Sequence, residues 1–97
     1  MNIFTVYSKD NCPFCDKAKA LLAAKYEQVN IINIPTDMSK DDLEEMVRPH
    51  IGDADLTVPQ IFIEGEIGSR SYIGGFDQLD AWYVSQETNS ELDDMAL

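Results

Sequence analysis

The apolar positions Ile3, Phe4, Val6 and Tyr7 form a short β-rich run and predict a strand over residues 2–7. The polar stretch 8–11 reads as a turn. From Pro13 the period changes: Phe14, Ala18, Leu21, Leu22 and Tyr26 recur at near-helical intervals, with Asp16, Lys17 and Lys19 between them. This spacing predicts a helix of about three turns over 13–25. Pro13 suits its first position, where a missing N–H costs nothing. Val29, Ile31, Ile32 and Ile34 predict a second strand ended by Pro35, and their nearly continuous apolar character places it at the sheet centre, covered on both faces. Ser39, followed by Asp42, marks a helix start, and Leu43, Met46 and Val47 give that helix an apolar face until Pro49 stops it. Residues 50–56 read as a loop.

A third strand is expected over 58–64, then an extended hairpin connection over 65–71, and a fourth strand at Tyr72 and Ile73 broken by Gly74-Gly75. Phe76, Leu79, Trp82 and Tyr83 space a last helix. Residues 1–86 are expected to form one domain, and 87–97 an acidic, mobile tail without clear periodicity. The order β-α-β-α-β-β-α implies two parallel strands joined through a helix, then an antiparallel hairpin. The expected fold is therefore α/β, a four-stranded mixed sheet with helices on both faces.

Composition narrows the function classes. A chain of 97 residues is one domain, and 18 acidic against 7 basic residues give a net charge of −11. Such a chain lacks the cations that displace phosphate counterions, so no nucleic-acid partner is expected. Anionic membranes should repel it, and no apolar run approaches the ~20 residues of a membrane span. A soluble, cytoplasmic protein without bound metal is the expectation.

The two cysteines stand in Cys12-Pro13-Phe14-Cys15. A disulfide across so short a loop would constrain little of the unfolded chain. Structural zinc wants four ligands, and His50 raises the count only to three. Thiol–disulfide chemistry remains, beside an incidental pair. Other residues have plain roles available: Lys9 as a solvated lysine, Pro59 as a strand start, and Gly74-Gly75 as a turn with Asp77 as helix cap.

The element order, with the cysteine motif between first strand and first helix, resembles the thioredoxin fold. Tyr7-Ser8-Lys9 before the cysteines, Thr57-Val58-Pro59 and Gly74-Gly75-Phe76-Asp77 make it similar to glutaredoxins over about residues 2–84. The stretch from Ile73 to Leu79 also resembles the small glutaredoxins of large bacteriophages. Phe14 stands where most of that family has Tyr, and Gln78 where a second acidic residue is common. The usual basic residue before Thr57 is missing, with Arg48 the nearest cation.

The resemblance implies a monomeric oxidoreductase that holds no cofactor and takes electrons from glutathione as co-substrate. Its substrates would be protein disulfides and glutathione mixed disulfides. Ribonucleotide reductase is the partner the phage likeness implies, in a host cytoplasm. Cys12, at the helix start beside Lys9, would attack, and the deeper Cys15 would resolve. A cis peptide bond before Pro59 would present the Val58 backbone to the cysteine of glutathione. Phe14 and Thr57 would line the same groove. Gly75, Phe76 and Asp77 would hold the γ-glutamyl end, and Lys9 or Arg48 the glycyl carboxylate. An adaptor with an idle cysteine pair and an iron–sulfur carrier are the alternative readings.

Overall fold

The computed structural model describes residues 2–65 and 69–96, with side chains through residue 86. Seven elements follow in the expected order: β1 (Ile3–Ser8), α1 (Pro13–Ala24), β2 (Gln28–Asn33), α2 (Lys40–Ile51), β3 (Gln60–Glu64), β4 (Arg70–Gly74) and α3 (Phe76–Ala96). The sheet order is β2-β1-β3-β4. β1 runs parallel to β2, with Phe4 opposite Val29, and antiparallel to β3, with Val6 opposite Ile61. β4 pairs antiparallel with β3 across an irregularity at Ile61/Phe62.

Alternation along β1 divides the core. Phe4 and Val6 bury one face with Ala18 and Leu22 of α1, Ile61 of β3 and Leu79 of α3. Tyr7 takes the opposite face with Phe62 and with Leu43 and Val47 of α2. Helices therefore cover both faces. Trp82 meets Phe4 edge-on at 5.7 Å, which holds α3 down on the first of these clusters. Tyr83 adds a bond from its hydroxyl to Glu27 Oε2 at 2.7 Å; burial first, and then that carboxylate, push the phenol pKa up.

The central strands are β1 and β3, not β2. β2 lies at the sheet edge and Ile31 stays 46% exposed, because β1 has β3 on its other side and leaves β2 with one neighbour. Its apolar run reflects one covered flank, with Asn30 and Gln28 exposed.

Pro49 does not stop α2, which continues to Ile51 and takes His50 with it. A proline in the last turn forfeits one helical hydrogen bond, and other contacts fasten this end. The Gly52 N–H donates to Arg48 O at 3.0 Å, and the Arg48 guanidinium donates to Gly52 O at 2.6 Å and Ala54 O at 2.9 Å. The expected start of α2 is present, with Asp42 N–H donating to Ser39 Oγ at 3.1 Å.

β3 begins at Gln60, two residues later than the pattern suggests, since Pro59 has no N–H for the ladder. β4 begins at Arg70, earlier than expected, and Gly65 N–H donates to Ser69 O at 2.8 Å across the connection. Residues 66–68 of that connection lie outside the described residues. α3 extends well beyond the apolar spacing that predicts it, while the side chains of 87–97, and the mobility expected of them, lie outside the described residues.

The end of α1 carries an unusual residue. Tyr26 N–H donates to Ala23 O at 3.0 Å and Glu27 N–H to Leu22 O at 3.1 Å, the paired bonds of a Schellman turn. The left-handed position belongs to Tyr26, with φ of 57° and 94% of its surface exposed. A side chain there costs about 1–2 kcal/mol, and Tyr26 recovers none of it by burial. Tyr26→Gly should therefore raise unfolding stability by about 1 kcal/mol, after the entropy cost of glycine. Urea titration would read this as a higher midpoint at unchanged slope; an equal or lower midpoint would refute it.

Candidate active site

Cys12 ends the turn after β1 and is the N-cap of α1. Asn11 reaches it with a positive φ of 56°, a conformation asparagine tolerates well. Pro13 then starts the helix. The Cys12 sulfur does what a serine oxygen does at other caps: it accepts the Cys15 N–H, at 3.2 Å. The two cysteines form a disulfide, with Cα atoms 5.2 Å apart. Cys12 retains 6% exposure and Cys15 none, so only the first sulfur faces an incoming reactant. When the disulfide is reduced, the same N–H and the helix N-terminus stabilise a thiolate at Cys12.

The second wall is residues 57–59. The Val58–Pro59 peptide bond is cis, as is Ile34–Pro35. Val58 O lies 3.8 Å from Cys12 Sγ, so an extended chain pairing with this backbone would pass beside the sulfur. Gln60 secures the segment from behind. Buried at the start of β3, it donates from Nε2 to Thr57 O at 2.7 Å and accepts the Tyr72 hydroxyl at Oε1, 2.6 Å away. Desolvation raises the Tyr72 pKa, keeping that hydroxyl a donor. Sequence reasoning missed Gln60; an amide heading an otherwise apolar strand was its only signal.

Two adjoining cavities open at this place. The larger, about 500 Å³, is lined by Lys9, Cys12, Phe14, Lys40, Thr57 and Val58 among others. The smaller, about 180 Å³, lies between Phe14, Thr57, Val58, Pro59 and the start of α3 at Gly75, Phe76, Asp77 and Gln78. Phe14 is 53% exposed and forms the divide, its ring 6.5 Å from that of Phe76 with Lys17 Nζ 5.1 Å from its centroid. The fold thus brings together Lys9, Cys12, Phe14, Thr57, Val58, Pro59, Gly75, Phe76 and Asp77, with Cys15 beneath.

Arg48 is not among the residues lining either cavity. Its guanidinium closes the end of α2 and pairs with Glu44. Lys40, the first residue of α2, lines the larger cavity in addition to Lys9. The helix-start signal at Ser39 located Lys40 without showing that it borders a groove. His50 stacks on Tyr72 at 4.5 Å, away from the cysteines in the contacts it makes.

A cysteine pair capping the first helix of this sheet, opposite a cis-proline, defines a thioredoxin-fold dithiol protein. The glutaredoxin family model matches residues 4–67. The chain is 40% identical over 76 residues to glutaredoxin 3 of Escherichia coli K12, spanning 78% of this chain and 80% of that one. It is 34% identical over 93 residues to the glutaredoxin of bacteriophage T4, spanning 84% and 99%. The buckwheat glutaredoxin–glutathione complex shares the fold, with a TM-score of 0.70, 24% identity, and coverage of 96% of this chain and 78% of that one. The chain belongs to the glutaredoxin family and is a thiol–disulfide oxidoreductase.

The site generates a prediction about ionisation. In the reduced protein, iodoacetamide should alkylate Cys12 with a midpoint well below the ordinary thiol value of about 8.5. Lys9→Gln should raise that midpoint modestly, since the helix end remains. A midpoint near 8.5 in the unaltered protein would remove the helix terminus from the mechanism.

Proposed function

We propose that glutathione reduces this dithiol and that the two cavities seat it, with Cys12 at their junction. The observation that carries the reading is the 3.8 Å approach of the Val58 carbonyl to the Cys12 sulfur. A cysteine residue pairing with that backbone brings its own sulfur to Cys12. Its glycyl carboxylate then falls toward Lys9 and Lys40, and its γ-glutamyl end toward Phe76 and Asp77. Two cations beside one groove make an anion-attracting spot on a chain of net charge −11. The glutathione-bound buckwheat relative, of the same fold, supports this reading.

The exchange proceeds in two displacements. The Cys12 thiolate attacks the glutathione sulfur of a mixed disulfide, and the protein thiolate leaves with the electron pair. A second glutathione thiolate then attacks that sulfur and releases Cys12. With a protein disulfide, Cys12 forms the mixed disulfide with the protein and Cys15 displaces it, leaving Cys12–Cys15 oxidised. Glutathione restores the dithiol. Ribonucleotide reductase in the cytoplasm of a host cell is the protein substrate we put forward, on the likeness to phage glutaredoxins. The protein would act as a monomer.

Cys15→Ser should still turn over glutathione mixed disulfides, because Cys12 and a second glutathione suffice, while Cys12→Ser should abolish turnover. A coupled assay with glutathione, glutathione reductase and NADPH separates them; retained activity in Cys12→Ser would reverse the assignment. Lys9→Gln and Lys40→Gln should each raise the KM for glutathione by up to about fivefold, the range of an exposed ion pair, with kcat for Lys40→Gln unchanged. If neither moves KM, the glycyl carboxylate lies elsewhere.

A further inference from the structure

The first turn of α3 is closed by its own side chain. Gln78 folds back so that Oε1 accepts the Gly75 N–H at 2.9 Å, the reaching-back half of a capping box. The glycines before the helix make room for it. A Cβ on Gly74, where φ is +119°, would lie 3.0 Å from Gln78 Cγ, and one on Gly75 would lie 3.2 Å from Gln78 Oε1. Gln78 therefore lies across a double glycine and lines the smaller cavity in a fixed sense. Its oxygen is committed to Gly75, and no described residue accepts from its Nε2. That leaves Asp77 as the only carboxylate lining the cavity among the described residues, and Asp77 is exposed.

A ligand ammonium here meets one screened carboxylate, worth up to about fivefold in affinity. A ligand carboxylate meets the amide donors of Gln78 and the N-terminal end of α3. We propose that Gln78 is a specificity residue which makes the α-ammonium of the γ-glutamyl group dispensable. The substrate class widens to disulfides of N-acylcysteine thiols that carry a carboxylate on the acyl chain but no amine. This rests on the glutathione reading above and adds to it which part of the ligand is not recognised.

The test is a single turnover without a coupling enzyme. The reduced dithiol is mixed with glutathione disulfide or with its des-amino counterpart, the disulfide of glutaryl-cysteinyl-glycine. Cys12 thiolate attacks one sulfur and one thiolate leaves; Cys15 thiolate then attacks Cys12 and releases the second. Two electrons and two protons pass from the protein to two thiols, leaving the Cys12–Cys15 disulfide. Alkylation and mass measurement follow the loss of reduced protein. Salt of about 0.5 M screens the extra charge of the des-amino ligand.

The unaltered protein should prefer glutathione disulfide by less than about fivefold, and Gln78→Ala should keep that ratio. Gln78→Glu retains the bond to Gly75 N–H and installs a second carboxylate, so it should raise the ratio at least threefold. A larger preference in the unaltered protein, or a smaller rise in Gln78→Glu, overturns the role of Gln78 while leaving glutathione as reductant. If glutathione disulfide reacts no faster than hydroxyethyl disulfide, the glutathione reading itself fails, and this inference with it.

Discussion

Everything at the reactive end depends on β1 being buried on both faces and paired on both edges. Phe4 and Val6 are locked under α1 and α3, Tyr7 under α2, and the backbone between β2 and β3. β3 is likewise paired on both edges, and Ile61 and Phe62 bury its two faces. The last residue of β1, Ser8, is fully buried, so the turn that follows leaves from a fixed point. Cys12 inherits that fixity. The sulfur needs it, because its bond to Cys15 N–H and its approach to Val58 O involve separate segments, the start of α1 and the residues before β3.

The element order was legible because each element has a local cause. Pro13 at a first helical position, Ser39 at a cap and the β-rich run of β1 each point to what the structure contains. The edge position of β2 was not legible, since an apolar run does not report the number of hydrogen-bonded neighbours. The end of α2 was misread for a similar reason: a proline's local penalty is small in a last turn, and the Arg48 contacts that hold it are made across residues 52–54. At the site, the motif residues lie together as the resemblance implies. Gln60 is tied to Tyr72 of another strand and Lys40 borders the groove through the packing of α2, which spacing along the chain does not encode, whereas the fold-back of Gln78 is a local capping contact.

Charge is arranged with a sense opposite to the composition. Asp41 and Asp42 stand in the first turn of α2 and Asp77 in that of α3, where helix dipoles favour them. Lys9 and Lys40 border the larger cavity instead. Among the described residues no acid lines the larger cavity, and Asp77 borders only the smaller one. A strongly acidic chain can keep an anion-accepting groove provided its few cations are concentrated there.

The chain of bonds from Tyr72 through Gln60 to Thr57 makes the active-site backbone a dependant of the outermost strand. β4 is an edge strand with one neighbour. Without the Tyr72 bond, Gln60 would keep one of its two anchors, the Thr57 carbonyl next to the backbone that faces Cys12. The pairing of β4 with β3 and the position of the Thr57 carbonyl are in this way joined through one buried amide.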